Sequence, residues 1–456
     1  MAAQALRLAP PGSAEARPPG EVAYAGVTLH PGCSAAAVLR PAGLVTLAPL
    51  PAAVDAAGAD AVLRAIVAAV PGGRIQAVTV DLSPVLLDAV LHPSQATPVA
   101  VIRITPRAAR DPALARSPAE LVERLVARRF SVAGGHDLLG HELCPLDRAG
   151  LAGVCAQLPG TGLRGVAIIA PGSQAEPGHE RAVADAVQAA LPAAHITAAT
   201  DFGGHGLVAR EATAALDCAL SQLADRLLDL WEAALRRAGI TAPLRVARGD
   251  GGYSTPSLVR ALPVVALGAS DALELRGTAY LEGIEDCRVI LPRPGGQVAG
   301  DVRRGLPVVR SAELAGIGTA LVVPTAVLAP EPGISPDGDH RWVRDVPVVL
   351  ANRDPRLLAC VGAAVSQPTA WLDEVAFIES AAQLDRVRRE AQERATAIVM
   401  ANGAAPGTVS VTEVSVVAVP YSPAGAVRIR VRVAGAPDGE LRRVHAEGPA
   451  ASWGAR

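Results

Sequence analysis

Short apolar runs alternate with helical segments along most of this chain, and this alternation limits its fold to the α/β class. Three apolar runs between Glu21 and Leu50 are separated by "HPGCS" and "PAG", which predicts a tight antiparallel meander. The segments "RIQAVTVDL", "PVLLDAVL" and "TPVAVIRITP" then predict a strand, a helix and a strand. Hairpins are therefore expected to give way to β-α-β units.

The longest helical pattern runs from Glu211 to Ala238, where leucines recur on one face and Gly239 is the expected C-cap. A second helix is predicted over "SPAELVERLVARRF", with its N-terminus at Ser117. After the long helix the alternation resumes with helices near 255–261 and 270–282 and with the apolar runs "PVVALG", "RVILP" and "LPVVRS". A last helix, "AAQLDRVRREAQERATAIVMANG", precedes two alternating strands.

These patterns divide the 456 residues into five parts, because one ordinary core is too small for a chain of this length. We expect a disordered leader, an N-terminal lobe, a core lobe, a C-terminal α+β unit and a loose tail, at residues 1–20, 21–197, 198–378, 379–436 and 437–456. The Pro/Gly-rich segment at 330–345 is predicted to be a loop.

Composition excludes several classes of function. Aromatic residues make up only 2% of the chain and the net charge is −2, so neither base stacking nor attraction to nucleic acid or anionic membranes is expected. No apolar stretch approaches the ~20 residues of a membrane span. The 6 cysteines are scattered without a C-x-x-C pair, which is typical of buried thiols in a reducing compartment. A soluble cytoplasmic protein is expected.

The C-terminal segment "AQERATAIVMANGAAPGTVSVTEVSVVAVPYSPAGAVRIRVRVAG" and, earlier in the chain, "EPGHERAV", "REATAALDCAL", "RGDGG" and "ALGASDALELRGTAYLEG" appear in the order of family landmarks. In this respect the chain resembles the hydantoinase A / 5-oxoprolinase family. The resemblance implies two actin-like (ribonuclease H-like) ATPase lobes plus a small C-terminal α+β unit. It also implies ATP and Mg²⁺ as cofactors, and a hydrolase that opens the C–N bond of cyclic amides such as hydantoins or 5-oxoproline.

The resemblance places two phosphate turns at "TLHPGCSA" and "RPGGQVAG", where family members carry acids, glycines and threonines. Here Thr28 and Ala35 stand at the acidic positions of the first turn. The second turn keeps Gly295 and Gly296 but has Arg293 where an acid is expected, and Asp301 follows one residue late. We interpret these four residues as a degenerate cofactor-binding turn that is impaired in ATP use.

Three residues are candidates for catalysis. Asp201 and His205 form a possible acid/base pair in the Gly-rich segment "DFGGHG", and Asp250 lies in "RGDGG" after an expected strand, where open α/β sheets bind ligands. A plain loop and a bare turn are the alternatives for these segments. No nucleophilic triad is evident, because Ser254 and Ser270 lack a nearby activating base in the sequence.

The segment "GGHDLLGHE" brings His136, Asp137, His141 and Glu142 close together, but their spacing is not that of H-E-x-x-H. A solvated loop is predicted here and no metal site is assigned. The resemblance also implies a hydantoinase B-like partner subunit or a homo-oligomer. Two functions thus stay open: an enzyme of cyclic amides, and a non-catalytic subunit that scaffolds a partner.

Overall fold

The structure is a computed structural model that describes residues 22–92, 96–107, 114, 116–314, 317–331, 346–420, 422 and 424–437. The predicted leader 1–20, most of the predicted loop 330–345 and the tail beyond residue 437 lie outside these residues.

Ten helices lie in the described part of the chain. They are α1 (Ala56–Ala68), α2 (Ser83–Leu91), α3 (Ala119–Leu125), α4 (Arg148–Gln157), α5 (Gly178–Ala190), α6 (Leu207–Arg237), α7 (Pro256–Ala261), α8 (Ala269–Glu282), α9 (Pro355–Ala364) and α10 (Ala381–Ala401). Short 3-10 turns span Leu158–Thr161, Ala199–Phe202 and Pro263–Ala266.

Twenty strands lie in the same residues. They are β1 (Val22–Thr28), β2 (Ser34–Arg40), β3 (Gly43–Leu50), β4 (Arg74–Asp81), β5 (Val99–Thr105), β6 (Val126–Ala133), β7 (Gly165–Ile169), β8 (His195–Ala198), β9 (Leu244–Ala247), β10 (Tyr253–Ser254), β11 (Cys287–Arg293), β12 (Gly296–Arg303), β13 (Leu306–Pro307), β14 (Val309–Leu314), β15 (Thr319–Ala326), β16 (Ala329–Pro330), β17 (Val348–Leu350), β18 (Thr369–Phe377), β19 (Ser410–Ala418) and β20 (Ala426–Ala434).

The first sheet has six strands in the order β10-β9-β4-β1-β2-β3. The predicted meander of β1, β2 and β3 is antiparallel, whereas β4 and β9 run parallel to β1. Helices α1, α2 and α6 cover this sheet, and Val27, Val38, Leu63 and Leu220 are buried in their common core. The carboxyl ends of β1, β4 and β9 therefore meet at one edge.

A second sheet lies between β4 and β9 in the chain and is entirely parallel, with the order β6-β5-β7-β8. Its core is formed by residues such as Ile102, Val132 and Ile168, packed with residues of α4 and α5. The strands predicted at "RIQAVTVDL" and "TPVAVIRITP", which are β4 and β5, therefore belong to two different sheets.

The hairpin of β11 and β12 continues into a sheet in which β17 runs parallel to β11. The relation of β17 to β11 and β12 thus repeats that of β4 to β1 and β2. Helices α8 and α9 lie against these two sheets: α9 contacts β1 and β2, and α8 contacts β11 and β12.

Helices α8 and α9 cross with their backbones in contact at two glycines. A Cβ atom built on Gly277 of α8 would lie 2.1 Å from the Leu358 carbonyl oxygen, and one built on Gly362 of α9 would lie 2.1 Å from the Leu273 carbonyl oxygen. Gly26 of β1 has the same role against α9, because its Cβ would lie 2.0 Å from the Cys360 oxygen. A side chain at Gly277 or Gly362 would push α8 and α9 apart, and one at Gly26 would push α9 away from β1.

The C-terminal unit is a three-stranded antiparallel sheet in the order β18-β20-β19, with α10 packed on it. The predicted last helix and its two following strands are present. None of the described helices combines the length and apolar composition needed to cross a membrane.

Two local predictions are wrong. The helix predicted over 117–130 ends at Leu125, and the following residues form β6 because they pair with β5 in parallel, which satisfies their backbone groups. The apolar run "PVVALG" is not a strand but a 3-10 turn at Pro263–Ala266. The long helix α6 is confirmed, and Gly239 follows it with φ +67°.

Candidate functional site

Asp81 ends β4 at the edge where β1 also ends, and its side chain is completely buried. One carboxylate oxygen accepts a hydrogen bond of 2.9 Å from the Ser83 amide at the start of α2. The other accepts a hydrogen bond of 2.7 Å from the hydroxyl of Ser270 at the start of α8. Burial raises the pKa of Asp81 to about 7, although both hydrogen bonds act to lower it.

Two more acids lie one turn apart on α8, and Arg293 joins them. Its guanidinium donates hydrogen bonds of 2.8 Å to Asp271 and of 2.8 Å to Glu274. Burial raises the pKa of Glu274 to about 8, with Arg293 acting in the opposite direction. The acidic cluster consists of Asp81, Ser270, Asp271, Glu274 and Arg293. A carboxyl group that titrates near neutral pH can exchange a proton at physiological pH.

The residues at the two turns do not fit a magnesium-bound phosphate. Between β1 and β2 the chain carries His30, Pro31, Gly32 and Cys33, and between β11 and β12 it carries Pro294 and Gly295. None of these side chains is a carboxylate that could position the metal ion. The Arg356 guanidinium donates a hydrogen bond of 2.6 Å to the Cys33 sulfur, so an internal contact holds the first turn.

The backbone conformation of the second turn, and not close packing, accounts for its glycines. Gly295 has φ +91° in a two-residue connection after Pro294, the position of a β-turn that glycine favours. A Cβ atom on Gly295 or Gly296 would meet nothing within 4 Å, so neither glycine lines a close cradle. Asp301 lies on β12, where it accepts a hydrogen bond of 3.1 Å from Arg288. It is five residues from Gly296, about 17 Å along an extended strand.

Asp250 is completely buried in the turn between β9 and β10. Its carboxylate accepts hydrogen bonds from the Thr369 hydroxyl at 2.8 Å and from the Gly252 amide at 3.2 Å. Burial alone would raise its pKa, but Arg248 and Arg432 beside it hold the pKa below its usual value. These contacts tie the turn to the C-terminal sheet, and the catalytic role of Asp250 stays a prediction.

Asp201 and His205 lie in the segment that joins β8 to α6. Asp201 accepts a hydrogen bond of 3.1 Å from the Ala198 amide, and burial raises its pKa. Burial lowers the pKa of His205, and so does the nearby cation Arg428. Arg210 interacts electrostatically with both residues, but the described residues show no hydrogen bond between Asp201 and His205. Their pairing as acid and base also stays a prediction.

The structure gathers His136, Glu142 and His179 at a separate place, at the carboxyl ends of β6 and β7. The sequence segment around His136 contains only two of these residues, because His179 is 37 positions beyond Glu142. Asp137 and His141, which belong to the same segment, instead pair with each other at 3.1 Å on the surface.

Comparisons with known proteins yield structural matches only. No family model matches the sequence, and no curated protein matches it. An ATP-dependent caprolactamase from Pseudomonas jessenii matches with a TM-score of 0.69 at 13% identity, over 91% of this chain and 87% of that chain. The nucleotide-free structure of acetone carboxylase, an enzyme of ATP-dependent acetone carboxylation, matches with a TM-score of 0.63 at 12% identity, over 91% of this chain and 88% of that chain.

The chain shares the fold of these ATP-dependent enzymes. At such low identity the likeness concerns the fold alone.

Proposed function

We propose that this chain is a hydantoinase/oxoprolinase-related protein with two actin-like lobes that does not use Mg-ATP at its two turns. The repeated arrangement of a hairpin with a parallel third strand supports the two lobes. The fold shared with an ATP-dependent caprolactamase supports the relation to enzymes of cyclic amides.

The ion pairs of Arg293 carry this proposal. The guanidinium lies between Asp271 and Glu274 at 2.8 Å from each, and Glu274 is buried. Withdrawing Arg293 to bind a phosphate would break its hydrogen bonds to both acids and leave the buried Glu274 carboxyl without this donor. The turn thus offers a nucleotide neither an acid for magnesium nor a free cation.

A surface on the C-terminal sheet supports a role as a subunit. Among the strands that the structure describes, β19 pairs with β20 alone, and four of its valines are more than a third exposed: Val411, Val414, Val416 and Val417. An edge strand with exposed apolar side chains is a template for pairing with another chain. The occupant is a hydantoinase B-like partner or a second copy, as the sequence resemblance implies.

Thermal melts test the loss of nucleotide binding. A ligand present at 100 times its Kd stabilises the folded state by about 2.7 kcal/mol, which is easily seen as a higher Tm. We expect Mg-ATP to leave the Tm at the value measured with Mg²⁺ alone. Protection by Mg-ATP, or ATP hydrolysis stimulated by a hydantoin or 5-oxoproline, would contradict the proposal.

Light scattering tests the subunit role. If two copies pair through β19, wild type is a dimer and Val416→Lys is a monomer. Val67→Lys is the matched control, because Val67 is a similarly exposed valine on α1. A monomeric wild type would exclude the second copy and leave the hydantoinase B-like partner.

The hydrogen bond between Ser270 and Asp81 favours a second candidate function, hydrolysis of an amide without ATP. Ser270 is only partly buried, and its hydroxyl faces a carboxylate with a pKa of about 7. It also lies in the first turn of the 14-residue helix α8, which has no side-chain cap, so backbone amides there can stabilise an oxyanion.

In this reaction Asp81 accepts the hydroxyl proton as the Ser270 oxygen bonds to the amide carbon. The C–N bond then breaks, and the leaving nitrogen takes the proton from Asp81. Water hydrolyses the resulting ester with Asp81 again as the base, which restores Ser270. Each step uses only the cluster, the amide and water.

Labelling with a fluorophosphonate tests this candidate, since the reagent modifies nucleophilic serines. We expect modification of Ser270 that increases as the pH rises through about 7 and is reduced in Asp81→Asn. Ser257→Ala is the matched control, because Ser257 is a serine in the first turn of α7 that bonds only to Thr255. An unlabelled Ser270 would exclude the nucleophile.

A further inference from the structure

The parallel sheet β6-β5-β7-β8 has a topological switch point between β5 and β7. From β5 the chain moves to β6 on one side, and it then returns to β7 and β8 on the other. Ligands of open α/β sheets bind at the carboxyl ends of the strands beside such a point. The residues that follow β6 and β7 are held together there, because the His136 amide donates a hydrogen bond of 3.2 Å to the Pro171 carbonyl.

His136, Glu142 and His179 converge at this place. One potential ligand atom from each lies within 4.8 Å of the other two. The Nε2 atom of His179 is 3.1 Å from a carboxylate oxygen of Glu142, and the two imidazole ring centroids are 4.3 Å apart. They come from two segments: His136 and Glu142 lie in the connection between β6 and α4, and His179 lies in the first turn of α5.

The buried imidazole of His136 has an unsatisfied ring nitrogen. His136 is only 7% exposed, and its Nδ1 atom has no hydrogen-bond partner among the described residues. A buried polar atom without a partner costs about 1–3 kcal/mol. Such an atom beside a second imidazole and a carboxylate points to a ligand that is shared by all three.

We propose that His136, Glu142 and His179 bind a divalent transition metal, with Zn²⁺ as the best match. Two imidazoles and one carboxylate are the ligand set of catalytic zinc sites, in which water occupies the fourth position. Ligand atoms about 2.0–2.1 Å from a tetrahedral zinc lie about 3.3 Å apart. The pair formed by His179 and Glu142 is already close to this separation at 3.1 Å, and a ligand atom of His136 lies within 4.8 Å of both.

His179 must change its tautomer when the metal binds. Its Nδ1 atom accepts a hydrogen bond of 2.9 Å from the Gly135 amide, so Nε2 carries the proton and donates it to Glu142. Coordination through Nε2 moves this proton to Nδ1. A rotation of the peptide between Gly134 and Gly135 then presents the Gly134 carbonyl to Nδ1, and glycine at φ +116° tolerates both orientations.

The metal enters from the side of Glu142, whose side chain is half exposed, while the two imidazoles are mostly buried. A water in the fourth position of such a zinc site becomes acidic enough to act as a nucleophile near neutral pH. The site is therefore suited to hydrolytic chemistry that is independent of the acidic cluster.

Calorimetric titration of chelator-treated protein with ZnCl₂ tests the site. We expect one equivalent to bind to wild type, and Glu142→Gln to weaken binding at least tenfold. Glu142 is on the surface, so this variant keeps its fold, which circular dichroism checks. His136→Asn and His179→Asn are expected to abolish binding.

His141→Asn is the matched control, since His141 belongs to the same segment but pairs with Asp137 outside the cluster. It should retain wild-type affinity. Co²⁺ in place of Zn²⁺ should give visible d–d absorption without a thiolate charge-transfer band, because Cys144 is not a ligand. No binding to wild type, equal binding by Glu142→Gln, or a thiolate band would overturn the proposal.

Discussion

The Ser270 hydroxyl donates a hydrogen bond of 2.7 Å to Asp81, which lies 189 residues earlier in the chain. This bond joins the first turn of α8 to the carboxyl end of β4 in the first sheet. Arg293 on the β11–β12 hairpin binds the next turn of the same helix. The start of α8 thus connects both hairpin sheets through polar side chains, and four predictions follow from the charges and turns described.

Stability should fall as the pH rises through the neutral range. Burial raises the pKa of Asp81 from 3.8 to about 7 and that of Glu274 from 4.5 to about 8. The folded protein then holds protons that the unfolded chain has released, so the free energy of unfolding decreases between about pH 4 and pH 8. Urea denaturation at pH 5 and pH 8 measures the difference, which Asp81→Asn should reduce.

Asp229→Asn is the control for this prediction, because Asp229 is an exposed acid on α6. It should leave the pH dependence unchanged. The prediction is wrong if the free energy of unfolding depends on pH in the same way in Asp81→Asn, in Asp229→Asn and in wild type.

Arg293→Ala should destabilise the protein by about 2–4 kcal/mol at about pH 10, where Glu274 is ionised in the folded state and loses the partner that compensates its burial. The loss should be smaller at pH 6, where Glu274 is protonated in the folded state. Arg303→Ala on the same hairpin is the control and is expected to be nearly neutral, as Arg303 is exposed. Chemical denaturation provides the comparison, and equal losses for both variants would argue against the ion pairs.

Gly295→Ala should cost about 1 kcal/mol, whereas Gly296→Ala should be nearly neutral. Both positions have free space for a methyl group, but only Gly295 has a positive φ, of +91°. The pair of variants therefore separates backbone strain from crowding in a thermal melt. A larger effect at Gly296 would show that the turn has another conformation.

Asp250→Asn should lower stability by about 3 kcal/mol, because Arg248 and Arg432 would remain buried without their counter-charge. The pKa of Asp250 is lowered in the folded state, so its contribution is present above pH 3.8 and is lost as the pH falls further. Asp286→Asn in the turn before β11 is the control. A catalytic Asp250 would instead give a stable but inactive variant.

The regular elements could be predicted from the sequence wherever periodicity was strong, as in α6 and in the meander of β1 to β3. Helix α9 and strand β18 were not predicted. Helix α9 has only ten residues, and its last seven, 358–364, are all buried, so the segment is a short continuous apolar run from which periodicity does not distinguish helix from strand. The sequence of strand β6 predicts a helix, because its extended conformation depends on pairing with β5.

The polar clusters depend on contacts between distant residues, which a single sequence does not reveal. The sequence does not indicate a nucleophilic Ser270, because no activating base is near it in the chain, yet Asp81 lies beside it in the fold. His136 and Glu142 were noted, but His179 joins them only after α5 packs against β7. The Arg293 substitution was recognised, whereas its acidic partners on α8 were not.

The crossing of α8 and α9 at Gly277 and Gly362 determines how far apart the two hairpin sheets stand. Because carbonyl oxygens of one helix occupy the space that a side chain on the other would need, the separation is already at its minimum. A single methyl group at either glycine would widen the gap and move Ser270 on α8 away from Asp81 on β4. Gly277 lies three residues after Glu274 and Gly362 packs on the neighbouring Leu273, so the absence of two side chains helps to set the geometry of the cluster.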